Sequence, residues 1–172
     1  ESHGMHVAQL AVSLFDQFAE EHGMEEHPRL LLEVAAIIHD IGNFIRASGH
    51  HKHGQYIVEN SEIFGLSRSD IRILANVVRY HRGGNPNSGH TDYASLRREH
   101  RMLVLKLAAL LRVADALDRG HVQRVRGFTL EKQDDDVTLR CDYSGDISIE
   151  QYALRQKGRL FEEVFGFGVL AV

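Results

Sequence analysis

The sequence has little cysteine and no long apolar segment, and both absences exclude classes of protein. Its single cysteine, Cys141, cannot form an internal disulfide, so the chain is not a disulfide-stabilised scaffold, and a reducing cytoplasm is the expected location. No apolar run approaches the roughly 20 residues that cross a bilayer. No signal-peptide pattern opens the chain. We therefore expect no membrane association.

Positive charge is also in short supply. The chain has 20 Lys and Arg against 24 Asp and Glu, a net charge of −4, which argues against bulk nucleic-acid binding. The span 97–126 differs, because it holds eight Lys and Arg against three Asp and Glu. This local excess suits an anionic ligand, although such a stretch is also typical of a solvated helix face.

Histidine is what the sequence has in abundance, with 12 in 172 residues. Imidazole is the commonest metal ligand in proteins, so this number is the compositional anomaly. A chain of this length can bury a real core and is usually one domain, or one domain with an appendage. Aliphatic content and charge are those of an ordered globular protein.

The periodicity of apolar residues predicts a mainly α-helical fold. A helical body over residues 1–121 is followed by a small C-terminal α/β appendage over 122–172. Helices are predicted at about 4–22, 28–40, 53–60, 69–81 and 94–118, with a loop over 41–52. In the appendage, strands at 125–130 and 137–141 are joined by a turn at 133–136, and a helix over 148–165 precedes a last strand at 167–172.

The doublet His39-Asp40 is the most informative local feature. It ends the apolar run 30–38 and is followed directly by Ile41-Gly42. Polar groups set against a core must be hydrogen-bonded or bound to a metal. Adjacent residues on an ideal helix point about 100° apart, so both reach one ion only if the helix ends there, and Gly42 favours such an end. The alternative is a hydrogen-bonded helix terminus without metal.

Further candidate ligands lie on other predicted helices, and metal sites in helical bundles are built from facing helices. They are His3, His51, His53, His81 and Asp115. The remaining histidines, treated as surface residues, are His22, His27, His90, His100 and His121.

Each candidate also has an ordinary structural interpretation. His3 can be frayed, with His6 as the second choice, and His81 can cap helix carbonyls. Asp115, in the apolar stretch 113–117, can pair with Arg112 or Arg119. One or two of the three histidines at 50, 51 and 53 are expected to be solvated.

The ordered pattern of His, His-Asp, His and a late Asp resembles the HD metal-dependent phosphohydrolases over residues 3–118. In that superfamily the first His begins His-x-x-x-Val-Ala, as in the segment 3–8, and the late Asp follows Ala, as in Ala114-Asp115. Many members have Lys after His-Asp-Ile-Gly, where this chain has Asn43. The resemblance therefore implies an HD-type helical bundle whose phosphate contacts come from elsewhere.

The resemblance also implies a ligand set and roles. A first ion would be held by His3, His39, Asp40 and Asp115. A second would share Asp40 and add His81 with His51 or His53. Asp40 and His81 would act closest to the reaction, and Lys52, Arg82 or Arg112 would contact phosphate. Mixed imidazole and carboxylate ligands favour Mn, Fe, Zn or Co over Ca, with Mg as a further candidate.

A narrower resemblance is to the C-terminal region of the exopolyphosphatase/guanosine pentaphosphatase (Ppx/GppA) family. It rests on the segments 39–42, 49–57 and 78–82, with weaker likeness at 14–17 and 157–166. In that family the main hydrolytic site is assigned to an N-terminal actin-like module, which the present chain does not contain.

Two main hypotheses follow. The first is a metal-dependent phosphohydrolase that acts on a phosphate ester or phosphoanhydride of a nucleotide, an alarmone or polyphosphate, through a metal-activated water. The second is a non-catalytic regulatory, polyphosphate-binding or dimerisation module of an exopolyphosphatase-like protein, working beside an actin-like module. A third alternative is a structural metal in a helical scaffold, which predicts a closed coordination shell.

Overall fold

The computed structural model describes residues 2–172 and confirms the mainly α-helical fold with a small α/β appendage. The α-helices are α1 (Ser2–Gln17), α2 (Ala19–His22), α3 (Glu26–Ile38), α4 (His50–Glu59), α5 (Arg68–Tyr80), α6 (Thr91–Ala94), α7 (Arg98–Leu117), α8 (Ser148–Lys157) and α9 (Arg159–Phe165). The strands are β1 (Val125–Gln133), β2 (Asp136–Tyr143) and β3 (Gly168–Ala171). In the described part of the chain, no helix is long and apolar enough to cross a membrane.

Helix α7 is the centre of the helical body. It packs against α1, α3 and α5 on one side and against α8 and α9 of the appendage on the other. Its leucines recur at intervals of three and four residues, and Leu107, Leu110 and Leu111 are fully buried. From Leu107 to Leu117 every residue of α7 is buried, and a buried polar side chain needs partners, which makes Asp115 conspicuous.

Two glycines allow the close packing that brings the polar residues together. A Cβ at Gly4 would lie 2.4 Å from the carbonyl oxygen of Ile37, so α1 crosses α3 with backbone nearly in contact. A Cβ at Gly42 would lie 1.8 Å from the carbonyl oxygen of His50. Gly42 belongs to a short 3-10 helix (Ile41–Phe44), which therefore packs directly on the start of α4.

The loop predicted over 41–52 is shorter in the structure. It contains the 3-10 helix, and α4 begins at His50 instead of near His53. Gly49 precedes α4 with a left-handed φ of 72°, a conformation that favours glycine and starts the helix earlier than the apolar pattern indicated. This difference turns the His50 side chain toward the interior.

The appendage is a three-stranded sheet with two helices. Strands β1 and β2 form an antiparallel hairpin, and β3 runs parallel to β2. The single helix predicted over 148–165 is in fact two, because the chain breaks at Gly158 between α8 and α9. Phe161 on α9 is fully buried and packs on Phe18, so one apolar core includes both parts of the chain. The division at residue 121 remains a prediction.

Candidate metal centre

Six polar side chains from five parts of the helical body converge below one cleft. We call them the histidine–aspartate cluster, whose members are His3 on α1, His39 and Asp40 after α3, His50 at the start of α4, His81 after α5 and Asp115 on α7. All but Asp40 are buried, and the Asp40 side chain is 32% exposed toward the cleft. The helices supply the framework, and helix ends supply most of the ligands.

Three of the imidazoles are fixed by the same local contact. The Nδ1 of His39, of His50 and of His81 donates to the backbone carbonyl three residues earlier in the chain. The acceptors are Ala36, Ala47 and Val78, at N–O distances of 2.7, 3.0 and 2.7 Å respectively. A carbonyl oxygen only accepts, so the proton is on Nδ1 and the Nε2 lone pair of each neutral ring points into the cluster.

His3 is oriented by a carboxylate instead of a carbonyl. Its Nδ1 lies 2.8 Å from Oδ2 of Asp118, whose other oxygen accepts the backbone N–H of Gln123 at 2.7 Å. Asp118 is almost fully buried, although sequence reasoning did not single it out. Such a carboxylate behind an imidazole holds a metal-binding histidine in its tautomer and orientation.

The first group of possible ligand atoms lies on the inner side of the cluster. Oδ1 of Asp115 is 3.4 Å from Nε2 of His3 and 3.7 Å from Nε2 of His39. Both nitrogens are buried and have no hydrogen-bond partner. Ligand atoms about 2.1 Å from one ion lie about 3.0–3.4 Å apart, so this spacing and chemistry fit a divalent cation after small adjustments.

The second group lies on the cleft side. Oδ1 of Asp40 is 3.0 Å from Nε2 of His50 and 3.7 Å from Nε2 of His81, and the two nitrogens are 3.2 Å apart. Because both rings donate through Nδ1, neither neutral ring has a proton on Nε2 to give to the other. Two lone pairs that face each other at this distance suit the binding of one cation between them.

Asp40 lies between the two groups. Its Oδ1 is also 3.8 Å from Nε2 of His39, and Asp40 forms a third group of possible ligands with His3 and His121. A carboxylate in this position can bridge two ions, which is the usual means of holding a metal pair about 3.5–4 Å apart.

Electrostatics within the cluster favour ionised carboxylates. Burial opposes the charge on His3, but its contacts with Asp115 and Asp118 outweigh burial and raise the pKa of His3 to about 9. Burial likewise opposes ionisation of Asp115, yet His3 and His39 hold the pKa of that carboxyl well below its usual range. Burial lowers the pKa of His81 far below its ordinary value, so that ring is neutral.

The structure brings together five of the seven residues predicted as ligands and leaves out two. His3, His39, Asp40, His81 and Asp115 meet, whereas the described residues place neither His51 nor His53 in a group of possible ligands. His50 takes that position. Burial and the charges of Arg79 and Arg82 lower the pKa of His51 to about 4. The signal for His50 was its place directly after Gly49, at a helix start.

The three predicted phosphate contacts also differ in their surroundings. Arg82 lines the cleft, and Lys52 does not. Arg112 borders the cleft, but its guanidinium is buried and donates to the Tyr80 and Gly84 carbonyls and to the Asn85 side chain. Arg112 therefore holds the loop after α5. These hydrogen bonds satisfy the buried guanidinium of Arg112 without a bound phosphate.

The cleft above the cluster has a volume of about 510 Å³. One wall comes from α8 of the appendage, through Ile149, Tyr152, Gln156 and Lys157. Residues 122–172 carry no catalytic signature in the sequence, yet they form part of the cleft. The ammonium of Lys157 contacts Oδ2 of Asp115. Among residues 2–172, Asp115 forms its ion pairs with Lys157 and the histidines and with neither Arg112 nor Arg119.

Two of the histidines treated as surface residues contact the core or the cluster. His22 is 1% exposed, donates from Nε2 to the Phe15 carbonyl at 2.8 Å, and accepts the Met24 N–H on Nδ1 at 2.9 Å. His121 is exposed, but its ring stacks on His3 with centroids 3.7 Å apart. Its φ of 55° is rare for a residue other than glycine. The His22 prediction was wrong, because an apolar helix end can bury a neutral ring with both nitrogens bonded.

Three curated proteins that are similar to this chain carry the name guanosine-5′-triphosphate,3′-diphosphate pyrophosphatase. The protein from Pseudoalteromonas translucida is 29% identical over 138 residues, covering 79% of this chain and 27% of that protein. The one from Pseudoalteromonas atlantica is 29% identical over 139 residues, covering 77% and 26%. The one from Photobacterium profundum is 24% identical over 112 residues, covering 65% and 21%.

The chain thus spans about a quarter of the length of these relatives. The family described as Ppx/GppA phosphatase, domain III, matches residues 1–156, which include the whole histidine–aspartate cluster and all of α8 except its last residue, Lys157. This match covers nearly the entire chain and agrees with the narrower of the two resemblances seen in the sequence. The chain belongs to the Ppx/GppA phosphatase domain III family.

Proposed function

We propose that this domain is a metal-dependent phosphohydrolase of the HD type, which uses one or two divalent ions to cleave a phosphoanhydride or phosphate ester. The observation that supports this most directly is the shared anchoring of the imidazoles. Each of four rings is held through Nδ1, and each turns Nε2 toward the carboxylates of Asp40 and Asp115. A merely structural cluster would have no need of the two buried Nε2 atoms, on His3 and His39, that have no hydrogen-bond partner.

The residues divide into two ligand sets with one shared member. His3, His39 and Asp115 would hold the inner ion, His50 and His81 the outer one, and Asp40 would contact both. Divalent ions held by these residues would polarise phosphoryl oxygens and lower the pKa of a bound water molecule. The partly exposed Asp40 faces the cleft, where it can orient the attacking water and accept its proton.

The lining of the cleft favours a phosphorylated small molecule, or the end of a polyphosphate chain, as the ligand. Arg82, Arg119 and Lys157 border it, and Tyr152 and Ile149 add an apolar wall that can take a base or sugar. The relatives are named for guanosine-5′-triphosphate,3′-diphosphate, and we propose a substrate of this phosphoanhydride class. An actin-like neighbouring module, a homodimer and a cytoplasmic location remain predictions.

The first test is the metal content of the full chain, purified without a histidine tag or chelator and measured by plasma mass spectrometry. We expect one or two equivalents of Mn, Fe, Zn or Co after reconstitution. His50→Ala and Asp40→Asn should lower that number, whereas the matched variant His53→Ala should not. Wild-type protein that binds no metal after reconstitution would contradict the proposal.

A second measurement follows the reaction itself. Metal-loaded protein is incubated with guanosine 5′-triphosphate 3′-diphosphate and with polyphosphate, and phosphate release is compared between wild type and His81→Ala. We expect release that depends on metal and is lost in the variant. Metal binding without any turnover would instead favour a structural ion or a binding module.

One observation favours the second candidate, a non-catalytic polyanion-binding module. Lys157 already places a positive charge on Asp115, so the cluster has a compensating cation of its own. This candidate predicts that the chain binds polyphosphate equally well with and without metal and does not hydrolyse it. Polyphosphate binding that requires metal, or hydrolysis by this chain alone, would exclude it.

A further inference from the structure

The two oxygens of Asp115 have different partners. Oδ1 faces the Nε2 atoms of His3 and His39 at 3.4 and 3.7 Å, whereas Oδ2 contacts the ammonium of Lys157. Asp115 comes from the buried face of α7, and Lys157 is the last residue of α8 in the appendage. The contact therefore joins the core of the cluster to the wall of the cleft.

Lys157 is also the cation of the cleft that lies deepest toward the cluster. Arg112 is held by carbonyls, and Lys52 lies away from the cleft. Arg82 and Arg119 line the cleft but are exposed. The Lys157 side chain is 19% exposed, so its ammonium is partly shielded from water yet open to the cleft. An anion that enters the cleft toward the cluster would meet the Lys157 ammonium beside the Asp115 carboxylate.

We propose that Lys157 is a phosphate-binding residue, which rests on Asp115 in the free protein and contacts a phosphoryl oxygen of the bound ligand. This inference rests on the proposed function, since it assumes a phosphorylated ligand in the cleft. Asn43 also lines the cleft, but its side-chain amide carries no charge. A lysine ammonium is well suited to this role, because its long stem lets one charge move between two neighbouring anions.

The competing interpretation is that Lys157 only fastens α8 to α7. A basic residue in the last turn of a helix is favoured by the helix dipole, and an ion pair with Asp115 would add to that. The two interpretations differ in what removal of the charge does. A fastening role lowers stability, whereas a phosphate-binding role lowers affinity for the ligand in a protein that remains folded.

The experiment measures binding of methylenediphosphonate, a non-hydrolysable diphosphate, to the full chain by titration calorimetry. It compares wild type, Lys157→Met and Lys157→Arg, each with Mn²⁺ and in a chelator. The matched control is Lys132→Met, which removes an exposed lysine that pairs with Glu21 on the β1 side of the molecule. Thermal unfolding of every variant, and its Mn²⁺ stoichiometry, are recorded in parallel.

We expect Lys157→Met to bind the diphosphonate about tenfold more weakly or worse, the loss of one charge-assisted hydrogen bond. Lys157→Arg should retain most of the affinity, and Lys132→Met all of it. Equal affinity of wild type and Lys157→Met, or no binding by wild type in either condition, would overturn the inference. If wild type binds no Mn²⁺, only the metal centre is refuted. A weaker affinity of Lys157→Met for the diphosphonate in chelator would still support the role of the lysine.

Discussion

At the scale of residues, each histidine of the cluster uses its two ring nitrogens for different purposes. His39 and His81 sit at the C-terminal ends of α3 and α5, where Nδ1 caps a carbonyl of the last turn. The ordinary capping role and the candidate ligand role are therefore not alternatives, because Nε2 remains available. The capping bond is what selects the tautomer that a metal needs.

Asp118 allows this orientation to be tested without removing a ligand. Asp118→Ala leaves all six cluster residues in place but frees the His3 ring. We expect metal affinity to fall by about 10–100-fold, the usual effect of losing a partner behind a ligating histidine. Competition with a fluorescent chelator measures it. The control is Asp142→Ala, which removes an exposed carboxylate paired with Arg126 and should bind metal like wild type. Unchanged metal affinity in Asp118→Ala would show that His3 needs no support from Asp118.

His22 makes stability depend on pH. Burial lowers the pKa of His22, and both of its nitrogens are bonded in the neutral form. The unfolded chain takes up a proton near pH 6.5 that the folded chain resists, so stability is full above that pH and falls as pH drops below it. We expect His22→Gln to reduce the loss of unfolding free energy with falling pH, by at most about 1.4 kcal/mol per pH unit.

The measurement is urea unfolding at several pH values between 5 and 8, read as the difference between variant and wild type. His53→Gln removes a histidine outside these contacts and serves as the reference, with a pH profile like that of wild type. A wild-type slope retained in His22→Gln would mean that other buried groups carry the whole effect.

At the scale of elements, the site depends on where helices end and how closely they approach. The 3-10 helix after Asp40 turns the chain away from the cluster, and Gly42 lets it lie against the first turn of α4. That contact determines the distance between Asp40 and His50. A helix that continued past His39 would have pointed Asp40 away from the other ligands.

Gly42→Ala should disturb this contact severely. The added Cβ would overlap the His50 backbone, which cannot move aside as a flexible side chain can. We expect a loss of about 2 kcal/mol or more of stability, as is usual for overpacking, together with weaker metal binding. Denaturant unfolding and metal titration measure both. At Gly127 nothing lies within 4 Å of an added Cβ, so Gly127→Ala is the control and should keep metal binding. Normal metal binding by Gly42→Ala would show that the contact between Gly42 and α4 does not position His50.

At the scale of the whole molecule, the appendage and the helical body share one core. Phe18 from the end of α1 contacts Phe161, Phe165 and Phe167 of the appendage. The appendage also provides the cleft wall on α8. The site therefore depends on docking of residues 122–172, although its candidate ligands all lie in residues 3–115.

Phe161→Ala tests this dependence. Removing a fully buried aromatic ring should destabilise the protein by about 3–5 kcal/mol, and a shared core predicts one cooperative transition. Calorimetry and near-ultraviolet circular dichroism follow the unfolding. Phe64→Ala removes an exposed ring and should unfold like wild type. A separate early transition in Phe161→Ala would instead support two units that divide near residue 121.

Much of the organisation follows from the sequence by itself. Apolar periodicity places most helices and strands, because burial of one helix face requires it. The residues His3, His39, Asp40, His81 and Asp115 stand out because polar groups in or beside apolar runs need partners. The Ppx/GppA resemblance rests on short segments whose order is readable without a structure, and the family match confirms it.

Tertiary structure decided the rest, for reasons that local patterns do not contain. The choice of His50 over His51 and His53 depends on the rotation of α4, which Gly49 and the packing on Gly42 determine. The sequence does not identify Asp118 and Lys157 as part of the site, because the loop after α7 and the end of α8 reach the cluster only in the folded protein. Contacts between residues over 40 positions apart, such as that between Asp115 and Lys157, arise from docking of elements, and no spacing in the sequence encodes them.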